Sequence, residues 1–249
     1  MTEIVLPADA QRRQARNSAA YWAATARSRG HETITRRAFV AAVGDERAGT
    51  RFLLQEPDLS ADELAELTEL AAKARARGPV DAEDPYSATD LSALNLVSFQ
   101  MPVMLRQAGA VADPVMEVRK AETDADLEGA ERAIIDGFEL VRFEPVRAGE
   151  MLPRALLAEP GVAVHVAVLD GEIAGACVSV IDDGLGSHYW VGTPEAFRSR
   201  GVGRAVMLGS LAAMTEIPAT LTASKLGRPL YESLGYEVTG MSTWWRTPS

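Results

Sequence analysis

Two glycines one residue apart, Gly201 and Gly203, stand where a strand-like pattern gives way to a helical one, and that junction constrains the fold of this chain more than any other feature. Upstream, Ser187 to Val191 is aromatic and β-branched, and Pro194 closes the run. Downstream, Val202, Ala205, Val206, Leu208, Leu211 and Ala212 recur at helical spacing. A strand feeding a helix through a glycine turn is an α/β unit. Without a Cβ the chain can take positive φ and let a ligand rest on its N–H groups, and the helix start adds partial positive charge. Arg198, Arg200 and Arg204 surround the turn with guanidinium groups that suit the paired oxygens of a diphosphate. The alternative is a tight connection that binds nothing. The spacing departs from Gly-x-x-x-x-Gly-Lys-Ser/Thr, and Gly-x-Gly-x-x-Gly would need a glycine where Val206 stands, so nucleotide hydrolysis and NAD binding lose ground.

What remains, Arg198-x-x-Gly201-x-Gly203, resembles the acyl-CoA pyrophosphate loop of the GNAT acetyltransferase superfamily. A second segment, Leu230-Tyr231-Glu232-Ser233-Leu234-Gly235-Tyr236, resembles that family's LYExLGF signature. Leu230 and Leu234 lie four apart on one helix face, Gly235 suits the position just past the helix, and Tyr236 begins the next strand. The resemblance implies acetyl-CoA as co-substrate and no metal. It implies cofactor contacts at Val191, Gly192 and Thr193 on a strand that splays from its neighbour, and at Arg198, Ser199, Arg200, Gly201, Val202, Gly203 and Arg204 in the loop. Ser224 stands where many relatives carry an asparagine on the cofactor arm. Tyr231 matches the tyrosine that serves as general acid; a phenol of pKa about 10 can protonate a departing thiolate whose thiol has pKa about 8.5. The competing reading of Tyr231 is a core tyrosine packing an amphipathic helix. For a general base the aligned positions are Ser187 and Tyr189, neither an obvious base, while His188 between them points to the other face by strand alternation. Glu139, Glu144, Asp182 or Asp183 are alternatives, as is an amine that needs no dedicated base.

The order of elements around these motifs fits the resemblance. Met116 to Lys120 reads as a strand, Thr123 as an N-cap, and Asp124 to Phe138 as an amphipathic helix. Val162 to Leu169 and Ile173 to Ile181 flank Asp170-Gly171, a two-residue hairpin signature. A helix to about Thr215, a strand at Ala219 to Thr222, a second helix and a closing pair of strands complete a domain over residues 114–249. His165 and Cys177 fall within the hairpin strands and read as structural, the thiol inert. Residues 1–113 give a helix at Ser18 to Arg29, strands at Thr33 to Val43 and Thr50 to Gln55, a helix at Ser60 to Arg77 with a Ser60/Glu63 capping box, and a strand at Asn95 to Arg106. That order looks like a worn copy of the second domain. It is similar to two-lobed GNAT proteins whose first lobe no longer binds acyl-CoA; an independent helical cap is the alternative. The expected fold class is α/β (α+β), a mixed central sheet flanked by helices and preceded by the smaller degenerate lobe.

Composition narrows the function. A single cysteine excludes an internal disulfide and suits a reducing cytoplasm. Glu3 and Asp9 ahead of Arg12 and Arg13 lack a signal peptide's order, and no apolar run reaches membrane-spanning length. A formal charge of −10 argues against nucleic acid and slightly favours a cationic acceptor. Arg12, Arg13 and Arg16, like Lys73, Arg75 and Arg77, read as solvated helix faces. Of the adjacent Trp244 and Trp245, alternation lets at most one line an acceptor pocket or a dimer seam. The reading is a cytoplasmic N-acetyltransferase, monomer or homodimer, that moves an acetyl group to a small-molecule amine by direct attack. The alternative is an acyl-CoA-binding sensor or a non-catalytic regulatory protein on the same scaffold.

Overall fold

The computed structural model describes residues 7–248; Glu3, at the head of the chain, lies outside them. Five helices and eleven strands alternate along it: α1 (Pro7–Ser28), β1 (Thr33–Thr35), β2 (Phe39–Ala42), β3 (Thr50–Leu54), α2 (Ala61–Arg75), β4 (Val80–Asp84), β5 (Val97–Arg106), β6 (Glu117–Lys120), α3 (Asp124–Phe138), β7 (Val162–Leu169), β8 (Glu172–Asp182), β9 (Leu185–Gly192), α4 (Val202–Leu211), β10 (Ala219–Thr222), α5 (Arg228–Ser233) and β11 (Glu237–Arg246). All the strands join one mixed sheet in the order β1-β2-β3-β4-β11-β5-β10-β9-β8-β7-β6. Mixed α+β architecture of this kind matches the expected fold class.

The helices with polar caps form where the sequence announces them. Ser60 accepts from the N–H of Glu63 while the Glu63 carboxylate accepts from the N–H of Ser60. Thr123 and Asp126 repeat the same reciprocal box at α3. The inner face of α3 buries Leu127, Ala130, Ile134 and Ile135 against β7 and β8. Truncating one such leucine or isoleucine to alanine costs roughly 2–5 kcal/mol.

Several elements differ from the sequence reading. The run Thr33–Val43 is not one strand but the antiparallel pair β1 and β2, turned between Thr35 and Phe39. Helix α1 starts at Pro7, eleven residues before the periodicity becomes apolar, because its inward face carries buried Gln14, Asn17 and Ser18 in place of hydrophobic side chains. Strand β4 has the sequence Val-Asp-Ala-Glu-Asp, too acidic to read as a strand, yet Glu83 and Asp84 are buried. Glu83 receives Arg51 at 2.7 Å and Ser18 at 2.6 Å, and the Asp84 carboxylate accepts the N–H groups of Tyr86, Ala88 and Thr89. Polar residues bury without large cost when every lone pair is met. Helix α4 ends at Leu211, with one 3-10 turn over Ala212–Met214 short of Thr215.

The closing pair of strands is also rearranged. Only β11 follows α5, and its long antiparallel partner is β5, a strand from the first 113 residues. β5 pairs with β11 on one edge and with β10 on the other, so it bridges the two halves of the chain inside a continuous sheet. A single strand supplied early in the chain makes the lobes inseparable by hydrogen bonding.

Candidate functional site

Strand β9 and its exit carry the unusual backbone of this protein. β9 pairs in parallel with β10 only at Gly186 and Ser187; from His188 onward the two strands diverge, leaving one edge of β9 without a strand partner. Along its other edge the register with β8 slips by one residue: Ala176 faces Gly192 and Val178 faces Tyr189, so Trp190 and Val191 together oppose Cys177. This is a β-bulge, and Trp190 within it has φ 54°. A bulky aromatic residue in the left-handed region is a strained outlier, and such strain persists where surrounding packing over-determines it. Here the indole is held edge-on by Trp22 at 6.0 Å and by Phe138 at 5.3 Å. Neither the bulge nor its strain has a sequence signature.

Beyond Gly192 the chain passes through Thr193 and Pro194, makes one 3-10 turn at Glu195–Phe197, and enters α4 at Gly201. Ser199 has φ 61° and Gly201 φ 82°. Left-handed residues of this kind in a turn gather N–H groups into an anion-binding concavity. No side chain caps α4, and the N–H groups of Val202, Gly203 and Arg204 have no acceptor within the helix. A Cβ at Gly203 would meet nothing nearer than Leu230 at 3.4 Å. Internal packing would thus tolerate a side chain there, so the glycine serves the open face of the turn. These residues fit a diphosphate lying on main-chain amides.

The arginines around the turn have separate duties. Arg198 clamps the loop, donating to the carbonyls of Thr193 (3.3 Å) and Gly137 (3.1 Å), and so ties the turn to the end of α3. Arg200 pairs with Asp170 at 2.7 Å in solvent, and Arg204 donates to the Ser233 hydroxyl at 2.8 Å. An exposed ion pair is worth about 0–1 kcal/mol, so Arg200 can be recruited to an anion at little cost. Val202 is fully buried beside Cys177, so its side chain is withdrawn from the turn. Ser224 is exposed and its hydroxyl accepts the N–H of Gly227 at 3.1 Å, closing the turn that leads into α5.

Tyr231 is buried on α5 with its ring over Gly227 and 6.1 Å from that of Tyr236. Its hydroxyl makes no hydrogen bond to any described residue, yet it is not among the buried side-chain atoms left without a partner. Burial, with the Cys177 thiol nearby, raises its pKa well above the ordinary value, so it remains a protonated donor. Val191 packs against both the cluster holding Tyr231 and the one holding Cys177, which brings the bulge, the thiol and the phenol to one region under the splay. Burial pushes the Cys177 thiol up to about 12, consistent with an inert core residue.

The base candidates fare differently. Ser187 donates to Gln14 at 3.2 Å and Tyr189 to Asn17 at 2.8 Å, both beneath α1, and Tyr189 stacks on Tyr21 at 4.2 Å. His188 does point to the opposite face, as alternation requires. Its Nε2 meets the Ser210 hydroxyl at 2.8 Å and its Nδ1 the Tyr236 hydroxyl at 3.2 Å. Ser210 in turn donates to the Met207 carbonyl, so His188 is the Nε2–H tautomer, neutral, and pushed down to about 3 by burial. Asp182 and Asp183 sit in the β8–β9 turn, at the end of β9 remote from the bulge, about 20 Å along an extended strand. That separation removes them as candidates. Glu144 pairs with Arg132 at 3.8 Å, and exposed Glu139 follows Phe138 on the Trp190 side.

No protein-family model and no curated protein matches the sequence. Solved structures do match the fold. A GCN5-related N-acetyltransferase from Kribbella flavida aligns over 96% of this chain and 95% of its own, at 17% identity and TM-score 0.63. A GCN5-related N-acetyltransferase from Sphaerobacter thermophilus aligns over 97% and 93%, at 17% identity and TM-score 0.53. A tandem GNAT protein from the clavulanic acid biosynthesis pathway aligns over 85% and 79%, at 16% identity and TM-score 0.54. The chain therefore has the fold of the GNAT N-acetyltransferases. Likeness to a tandem member accords with its two lobes. Among the described residues no helix is long and apolar enough to cross a membrane.

Proposed function

We propose that this protein is an acyl-CoA-dependent N-acyltransferase that moves an acetyl group to the primary amine of a small molecule within a ternary complex. The observation that carries the reading is the conjunction, on one strand and its exit, of an unpaired splayed edge, a strained bulge at Trp190 and a glycine-opened helix start. Acetyl-CoA would supply an activated thioester. The N–H groups of residues 199–204 would bind its diphosphate, with Arg200 and Arg204 at the rim. The free edge of β9 at Val191 and Gly192, continued by Thr193, whose carbonyl also accepts from Arg198, would pair with the amides of its arm as a strand pairs with a sheet edge, and Ser224 would flank that arm. Amides in the bulge would polarise the carbonyl. Attack by the neutral amine nitrogen would form the new C–N bond and break the C–S bond; the Tyr231 hydroxyl would deliver its proton to the departing sulfur and regain one from water, and the nitrogen would shed its surplus proton to water.

Thiol release from acetyl-CoA over a panel of primary amines tests this directly. A second reading, an acyl-CoA sensor, is favoured by the burial of Ser187 and Tyr189 under α1, which leaves no base on β9. Tight coenzyme A binding with no thiol released over the whole panel would select the sensor.

A further inference from the structure

Between the lobes lies a cleft of about 540 Å³, lined by His31, Gly44, Asp45, Arg47, Arg77 and Glu150 among others. Three of its wall residues, His31, Val43 and Gly44, also line a small inner recess of about 20 Å³, closed by Trp22, Arg29 and Arg51. That is room for one or two water-sized groups.

The recess is short of acceptors. Arg29 donates from Nη2 to the Met151 carbonyl at 2.8 Å, yet its Nε is buried without a partner, and among the described residues no carboxylate forms an ion pair with it. The Trp22 indole N–H is likewise buried and unpartnered. Most nearby carboxylates are committed elsewhere: Glu83 and Asp81 to Arg51, Asp45 to the N–H groups of Arg47 and Ala48 and to His31, and Glu131 to the N–H groups of Gly149, Met151 and Leu152; Glu150, in the outer cleft, lies 2.9 Å from Arg47 with its Oε2 otherwise unbonded. A second guanidinium, Arg142, adjoins from the C-terminal half, with its own Nε orphaned and only a 3.6 Å contact to Asp81. Burial depresses the pKa of Arg29 and of Arg142, outweighing the opposing pull of Asp45 and Glu131 on the first and of Asp81 on the second. A buried cation left uncompensated is costly, and an arriving carboxylate removes that cost.

Position gives the recess a purpose. Trp22 is its wall on one side, with the Arg51 guanidinium 4.1 Å over its ring, and meets the edge of Trp190 at the β9 bulge on the other. One indole thus separates the donor-rich recess from the bulge.

We infer that the recess formed by Trp22, Arg29 and Arg51 binds a carboxylate of the molecule that enters between the lobes, and, resting on the transferase reading above, that the acyl acceptor is an amine bearing a carboxylate. The formal charge of −10 suggested a cationic acceptor; the donors of the recess add a carboxylate to that amine, because a bound ligand meets the recess and not the net charge.

Titrating the full chain with glutarate, read by the indole N–H resonance of Trp22 (identified through Trp22→Phe), tests the site without turnover. A saturable shift is expected, with affinity at least about tenfold weaker in Arg29→Gln. No shift in the wild-type protein, or equal affinity in Arg29→Gln with unchanged near-UV circular dichroism, overturns the inference. Inorganic phosphate binding more tightly than glutarate overturns the choice of a carboxylate. In the acylation assay, 4-aminobutyrate is expected to exceed 4-aminobutanamide in kcat/KM by at least about tenfold, a preference lost in Arg29→Gln. Coenzyme A titration separates the two claims: glutarate binding without coenzyme A binding sinks the transferase reading and keeps the recess, and the reverse sinks only the recess.

Discussion

Tyr231 shows how much a single residue's role depends on its surroundings. A phenol within a short amphipathic helix reads as core or as acid. A mostly buried ring packed with Val191, carrying a hydroxyl that no described residue holds by a hydrogen bond, favours the acid role. Tyr231→Phe is expected to lower kcat by about 10²-fold or more while leaving the dissociation constant for acetyl-CoA nearly unchanged. Isothermal titration beside steady-state kinetics checks this, and a large loss of affinity with kcat intact would reject it. His165 and His188 carry a different prediction. Both are held neutral by burial, pushed down to about 4 and about 3, with His165 bonded to Ser179 at 3.1 Å. Unfolded histidine takes up a proton near pH 6.5, so below that pH the unfolded chain binds protons the native one refuses. The contribution is fully present above pH 6.5 and is lost as pH falls toward 4, at up to about 1.4 kcal/mol per pH unit for each histidine. Urea midpoints between pH 7 and 5 should fall accordingly, and His165→Gln should flatten the slope by about half.

At the scale of elements, the seat of the candidate site is a backbone-to-backbone contact between α3 and the end of β9. A Cβ on Gly192 would lie 2.9 Å from the Ile134 Cα and 3.1 Å from the Ala133 carbonyl, and one on Gly137 would lie 2.8 Å from the Thr193 nitrogen. Those distances leave no slack, and Arg198 is anchored on the same helix end. Gly192→Ala is expected to cost about 1–3 kcal/mol and to weaken acetyl-CoA binding, since α3 must recede and carry the loop with it. A urea midpoint unchanged from wild type would contradict it. The sequence displayed the glycine turn, the two capping boxes and the Asp170-Gly171 hairpin, each a local event written in adjacent residues. It did not display the Trp190 bulge, because a bulge is a relation between two strands. It hid β4 and the first turns of α1 as well, where burial of Glu83, Gln14 and Asn17 replaces the apolar pattern with hydrogen bonds.

For the whole molecule, β5 is decisive. Lying between β10 and β11, it supplies the middle of the second half's sheet from the first half's sequence. A fragment of residues 114–249 lacks it and would expose facing edges of β10 and β11. Such a fragment is expected to lack a cooperative thermal transition, and co-expression with residues 1–113 to restore one; independent two-state unfolding of the fragment, followed by circular dichroism, would count against this. Helix α1 binds the lobes in a second way. It lies over β9 through Gln14, Asn17 and Tyr21, and reaches β4 through Ser18 and Glu83. Arg51 extends that seam, its guanidinium between the rings of Trp22 and Trp244, while Trp245 on the other face joins the core under α2. The two adjacent tryptophans divide as strand alternation demands.

The amino-acid sequence by itself determined the helices of the second half, its Asp170-Gly171 hairpin, the glycine turn that opens α4 and the placing of Tyr231 on α5, because each follows from spacing and local chemistry within a few residues. Only the tertiary structure decided which strand closes the sheet, which carboxylates stand near the bulge, and that buried guanidinium and indole donors collect between the lobes. Those outcomes depend on residues from Trp22 to Trp190 meeting across long stretches of chain, and hydrogen-bond partners at such separations leave no periodic trace in the sequence.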